Sequence, residues 1–145
     1  MIKNEREYRI SKGWIEKFEE ALQTARKRTP KDANDAQRLS VRMAGIESQL
    51  EELQTEISSY ESLKTGGSQF FTAQSLAELP VLLIKARIAQ GLTHRQLADR
   101  LEVSEKQVQR DEATEYRVAG LNRLVKVATA LEIRLELKAE IEVTV

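Results

Sequence analysis

The chain has 145 residues, enough for one ordinary domain or two small units joined by a linker. It is 41% hydrophobic and 32% charged, with two prolines and six glycines, and this composition predicts a mainly helical fold. The absence of cysteine and the presence of one histidine exclude disulfide bonds, cysteine nucleophiles, zinc–thiolate sites and a histidine pair for a metal or a catalytic relay. The net charge is zero, yet residues 80–135 carry ten Lys or Arg against seven Asp or Glu.

The N-terminal residues lack the apolar core of a secretion signal. No apolar run in the chain approaches the roughly 20 residues that a membrane-spanning helix needs. We therefore expect a cytoplasmic protein with no membrane partner.

Residues 1–64 are predicted to form a helical coiled-coil arm or hairpin. A first helix should begin near Ser11 and stop at Thr29-Pro30, because proline ends a helix. The second helix carries a strict 3.5-residue apolar repeat, which is typical of a coiled-coil seam. The seam residues are Leu39, Met43, Ile46, Leu50, Leu53, Ile57 and Tyr60. They could pack on the first helix of the same chain, form a dimer seam with a second chain, or do both, and the sequence leaves these arrangements open.

Residues 65–74 are predicted to be a linker, since the adjacent Gly66 and Gly67 with polar neighbours favour neither helix nor strand. A domain over 75–132 follows. Ser75 and Glu78 have the spacing of a capping box, and Pro80 suits the first turn of a helix that runs to about Gln90.

The next segment has the spacing of two short helices joined by a tight turn. The helices are predicted over 94–101 and 105–113, with a three-residue turn over 102–104. Ala98 is small at the point where two steeply crossing helices must approach closely. The residues predicted to face the core are Leu97, Ala98, Leu101, Val103 and Val108. This pattern predicts a helix-turn-helix.

The stretch from Gly91 to Ile133 resembles the helix-turn-helix of the Xre/Cro/phage-repressor superfamily. The resemblance lies in Gly-Leu-Thr before the first helix, the Leu-Ala pair within it, Val-Ser before the second helix, a late Glu and an apolar helix beyond. It covers about a third of the chain and, with residues 80–90 added, implies a five-helix repressor-like domain.

Two residues depart from the family pattern. His94 stands where the family often has Gln, and Glu102 stands at a turn position often filled by Gly. A non-glycine residue in a left-handed turn costs on the order of 1 kcal/mol. The opening residues 2–8 also resemble a subgroup in which a helical arm precedes this domain. Many small Xre-type proteins are antitoxins that bind a toxin and repress their own operon.

In a helix-turn-helix the second helix lies in the DNA major groove, and residues near its start meet base edges. The residues predicted to read bases are Glu105, Lys106, Gln109 and Arg110. The residues predicted to contact phosphates are Thr93, His94, Arg95, Ser104, Gln107, Tyr116, Arg117 and Asn122. Glu112 is expected to make an internal hydrogen bond or ion pair instead.

Residues 133–145 alternate strictly between apolar and mostly charged side chains, which predicts a C-terminal β-strand. No turn residue interrupts the run, so we expect pairing with a second chain or docking on a partner protein. Whether the arm or this strand carries dimerisation stays open.

Two functions fit these observations. The first is a sequence-specific regulator, most simply a repressor, that binds double-stranded DNA as a homodimer. The alternative is an antitoxin that binds a toxin protein and autorepresses its operon. We expect no enzymatic activity and no cofactor, because the sequence lacks a Gly-rich phosphate loop and a carboxylate pair outside solvated helix faces.

Overall fold

The computed structural model describes residues 1–144 and is mainly α-helical. The described residues form two compact units, the first containing Met1–Thr72 and Ile88–Thr93, the second Ala73–Arg87 and the residues from His94 onward. None of the helices within residues 1–144 is long and apolar enough to cross a lipid bilayer. In chain order the helices are α1 (Glu5–Lys27), α2 (Ala33–Lys64), a 3₁₀ helix (Leu76–Glu78), α3 (Leu79–Ala89), α4 (His94–Leu101), α5 (Glu105–Ala113) and α6 (Leu121–Ala130).

In the first unit, α1 and α2 form an antiparallel hairpin. The start of α1 lies beside the end of α2, where the Tyr60 hydroxyl donates to Glu5 at 3.1 Å and the Tyr8 and Tyr60 ring centroids are 5.2 Å apart. The end of α1 lies beside the first half of α2, where Arg26 and Glu47 form an ion pair at 3.4 Å.

The predicted seam faces α1 of the same chain. All seven seam residues are buried or half-buried, whereas most residues between them are exposed. Of the two arrangements that the sequence left open, the structure contains the hairpin. Only Leu50 and Tyr60 of the seam are buried, and the other five are half-buried. A dimer seam formed by Leu39, Met43, Ile46, Leu50, Leu53, Ile57 and Tyr60 therefore stays a prediction beside the hairpin packing.

The first helix begins six residues earlier than predicted, at Glu5 rather than Ser11. Asn4 is its N-cap, and the side-chain oxygen of Asn4 accepts from the Glu7 amide at 2.8 Å. The Glu7 carboxylate in turn accepts from the Lys3 amide at 2.8 Å. These reciprocal bonds satisfy amides that the first turn of a helix leaves without partners.

The predicted hinge after α2 is a left-handed turn, with φ of 83° at Gly66 and 91° at Gly67. Glycine adopts such angles without steric cost, so the pair stops the long helix. The capping box predicted at Ser75 forms only in part. The Glu78 carboxylate accepts from the Gln74 amide at 2.6 Å, but the Ser75 side chain caps nothing, and a 3₁₀ helix precedes α3.

The second unit has a core to which α3, α4, α5 and α6 all contribute. Its fully buried apolar side chains are Leu83, Ile84, Leu97, Ala98, Val108, Val127 and Leu131. The described part of this unit contains four α-helices rather than the five predicted. After α5 the chain takes left-handed angles at Glu115 and Tyr116, which close a turn and prevent a further helix before α6.

The C-terminal segment does not form the predicted strand within one chain. Glu132, at φ 54°, ends the last helical turn, and residues 133–144 have no regular secondary structure. A strand requires a hydrogen-bonded neighbour, and the single chain offers none to these residues. Val145, the last residue of the predicted strand, lies outside the described residues.

Candidate nucleic-acid interface

Helices α4 and α5 are joined by a three-residue turn. The Glu102 and Val103 amides donate to Asp99 and Ala98 carbonyls at 3.3 and 3.1 Å, and Glu102 takes the left-handed φ of 57° that its position predicts. Ser104 then caps α5, its hydroxyl accepting from the Gln107 amide at 3.2 Å. The turn is thus fixed by backbone bonds on one side and a side-chain cap on the other.

A buried ionic cluster holds α5 against the two preceding helices. Glu112 of α5 accepts from Arg87 of α3 through Nε at 2.6 Å and through Nη2 at 2.8 Å. The Nε2 atom of His94, at the start of α4, lies 2.7 Å from the same carboxylate. The Arg87–Glu112 pair is bidentate, a geometry that the planar guanidinium of arginine favours. Because His94 contacts the same carboxylate, Glu112 connects α5 to both α3 and α4.

Burial by itself raises the pKa of Glu112, because it disfavours the charged carboxylate. The hydrogen bonds from His94 and Arg87, with the charge of Arg87, outweigh burial and hold the pKa of Glu112 below its ordinary value of 4.5. Burial, together with the nearby negative charges of Glu112 and Asp111, raises the pKa of Tyr116. Glu112 is consequently ionised at neutral pH, and Tyr116 keeps its proton.

A second polar network joins α5 to α6. The Arg123 guanidinium donates twice to one oxygen of Asp111, at 2.7 and 2.8 Å, and the Gln107 side-chain amide donates to the other at 2.9 Å. Asp111 is buried, whereas Arg123 remains partly exposed. These bonds and the burial of Val108 fix the orientation of α5 about its own axis.

Apart from Ala113 at its end, the outer side of α5 carries polar and charged residues. The four residues predicted to read bases, Glu105, Lys106, Gln109 and Arg110, are all exposed. Weak bonds connect them to their own helix, from Gln109 to Glu105 at 3.4 Å and from Arg110 to Gln107 at 3.3 Å. These long contacts order the side chains only slightly, so the four residues form a polar face that is available to a ligand.

The structure corrects two of the predicted phosphate contacts. The side chain of His94 is buried against Glu112 and that of Tyr116 is buried under α5, with 6% and 3% of each residue exposed. Neither can reach a phosphate from these positions. Gln107 is half-buried and occupied by Asp111, so its amide also serves the fold.

The remaining predicted phosphate contacts lie on the surface. Arg95, Ser104, Arg117 and Asn122 are exposed in the second unit, and Thr93 is exposed in the first. Arg95 lies in the first turn of α4 with an exposed side chain, which leaves its guanidinium accessible to a phosphate. The candidate interface thus comprises the outer side of α5, the start of α4 and the segment that leads into α6.

The sequence analysis missed Arg87 and Arg123 as partners of the α5 carboxylates. Arg87 lies between apolar residues of α3 that are themselves buried. A basic residue inside such an apolar run indicates that it neutralises a buried acid, and Glu112 was the acid expected to make an internal ion pair. Comparison with protein-family models, with curated proteins and with solved structures gave no match.

Proposed function

We propose that the chain is a sequence-specific transcriptional regulator, most simply a repressor, that binds double-stranded DNA through α4 and α5. The observation that carries the proposal is the division of α5 into two sides. The inner side is held by Val108, Asp111 and Glu112, whereas the outer side presents one acidic, two basic and one amide residue. A short helix held in this way suits the wide major groove, where a helix can approach base edges.

Each outer residue has a base that it can recognise. The Lys106 and Arg110 side chains suit the O6 and N7 acceptors of guanine, Gln109 can pair with adenine, and Glu105 can accept from the cytosine amino group. Arg95, Ser104, Arg117 and Asn122 would contact backbone phosphates, which fix the position of α5 in the groove without reading sequence.

One such module reads only a few base pairs, so we propose that the protein acts as a homodimer. Two modules on half-sites about 34 Å apart along the duplex would read a near-palindromic operator. Either the half-buried seam of the hairpin or the C-terminal residues would form the dimer.

The test is binding of the full chain to the DNA upstream of its own gene, at two salt concentrations, with a Lys106→Ala, Arg110→Ala double variant. We expect selective binding to weaken at least about 30-fold, because each good contact to a base contributes roughly 1–3 kcal/mol of discrimination. The matched control is Lys27→Ala, Arg38→Ala, which removes two exposed positive charges from the arm. Equal binding by the α5 variant and the control would contradict the proposal.

The second candidate is an antitoxin that masks a toxin protein. It is favoured by large apolar side chains exposed in the first unit, namely Ile10, Trp14, Val41 and Phe70. Exposed apolar groups of this size often mark a protein-binding surface. If the neighbouring gene product arrests growth, co-expression of this chain should restore growth, and an Ile10→Ser, Trp14→Ser variant should not. If that variant also restored growth, the exposed apolar residues of the arm would not be the toxin-binding surface.

A further inference from the structure

The C-terminal residues 133–144 carry an apolar row that the single chain leaves exposed beyond the half-buried Ile133. Leu137, Ile141 and Val143 are each at least 77% exposed, although Leu131 immediately before the segment is fully buried. Charged residues occupy the alternate positions from Arg134 to Glu142. We refer to residues 133–144 as the tail. Its pattern is that of a strand with one apolar face, and its backbone has no strand beside it.

We propose that the tails of two copies pair as antiparallel strands with Leu137 opposite Leu137 on the two-fold axis. This proposal rests on the homodimer proposed above, and it assigns the tail as the surface through which the two copies associate. A second copy is the favoured occupant because, in the longest register without like-charge pairs, the charged residues of one tail lie opposite unlike charges of the other.

Opposite residues in an antiparallel pair lie on the same face of the sheet. A register that placed apolar residues opposite charged ones would therefore bury charge on the apolar face. Only registers that are centred on a residue keep the apolar row together.

In the register centred on Leu137, residues 133–141 form the ribbon and make only unlike charged pairs, while Glu142, opposite Glu132, lies outside the ribbon. This register sets Arg134 opposite Glu140 and Glu136 opposite Lys138, and symmetry repeats each pair. Ile133 meets Ile141 and Leu135 meets Ala139 on the other face. The ribbon would start directly after Glu132, whose left-handed backbone ends the helical turn.

The neighbouring registers set like charges opposite each other. Centring on Glu136 would place Arg134 opposite Lys138, and centring on Lys138 would place Glu136 opposite Glu140. Centring on Ala139 would place Glu136 opposite Glu142. A register centred on Leu135 avoids such pairs but shortens the ribbon to about five residues, near the lower limit of strand length.

The absence of cysteine from the chain permits a direct test by single substitutions in the full-length protein. Leu137→Cys alone should give disulfide-linked or thiol-crosslinked dimers. Leu135→Cys and Ala139→Cys should each link poorly alone and link readily when mixed. Equal linkage by Leu135→Cys alone, or no linkage between copies in any sample, would overturn the proposal; the second result would assign the tail to a different protein.

Charge exchange tests the same register independently. In the Leu137→Cys background, Lys138→Glu or Glu136→Lys should lower the linked fraction about tenfold, because two opposite pairs become like pairs. A mixture of the two variants should restore it, since one tail is then acidic where the other is basic. Failure of the mixture to recover would contradict the register. The Lys106→Ala, Arg110→Ala variant should link normally, so a failure of DNA recognition and a failure of tail pairing give different results.

Discussion

Replacing Glu112 with alanine should lower the free energy of unfolding of the second unit by about 3–5 kcal/mol, a large part of the stability of an ordinary domain. The substitution leaves the Arg87 guanidinium and the His94 imidazole buried without the carboxylate that receives both. It also removes the hydrogen bonds that connect α5 to α3 and α4. Urea or thermal unfolding followed by circular dichroism, with hydrogen exchange resolved for residues 94–131, measures the effect.

The control for this variant is Asp99→Ala, which removes an exposed carboxylate from α4 and should change stability by no more than about 0.5 kcal/mol. Glu112→Gln keeps the size of the side chain and one acceptor, so its loss should be smaller than that of Glu112→Ala. Equal stability of Glu112→Ala and Asp99→Ala would mean that the cluster contributes nothing to the fold.

Acid should reduce the difference between the wild type and Glu112→Gln. The pKa of Glu112 is lowered in the folded protein, so its contribution is fully present above the ordinary value of 4.5 and disappears as the pH falls through the folded value. The two proteins should therefore differ most near neutral pH, and the difference should shrink as the pH falls below 4.5.

Replacing Leu97 with alanine should destabilise the second unit by about 2–5 kcal/mol. Leu97 lies on the inner side of α4 and is fully buried, so the smaller side chain leaves a cavity that the helices close only in part. The same unfolding measurements apply. At temperatures where the variant is partly unfolded, DNA binding should fall with the folded fraction.

The matched control for Leu97→Ala is Leu121→Ala, which makes the same chemical change at an exposed position at the start of α6. We expect a change within about 0.5 kcal/mol. A similar loss in both leucine variants would indicate that the core of the second unit lies elsewhere.

The bounds of α4 and α5 could be predicted because local signals determine them. Ser104 caps α5, and the turn before it is short. The apolar residues of α4 recur at helical spacing, so its buried side was also evident, whereas Val108 is the one buried apolar residue of α5. Gly66 and Gly67 likewise marked the end of α2 through angles that other residues adopt with difficulty.

The misplaced residues depend on contacts between distant parts of the chain. His94 and Tyr116 are of residue types that are often found at the surface. The burial of His94 depends on its hydrogen bond to Glu112, which is 18 residues away in the sequence. The start of α1 was a local signal that was overlooked, since Asn4 and Glu7 have the capping spacing. The tail was predicted as a strand from alternation alone, which indicates the faces of a strand but supplies no neighbour for its backbone.

The division of α5 also bears on how the protein could change its target during evolution. The residues that hold the helix are Val108, Asp111 and Glu112, and none of them belongs to the exposed set. Substitutions at the four outer positions can therefore accumulate with little cost in stability, as surface positions generally allow. A library randomised at those four positions should remain mostly folded while its members differ in the DNA they select, so that one scaffold could serve many operators.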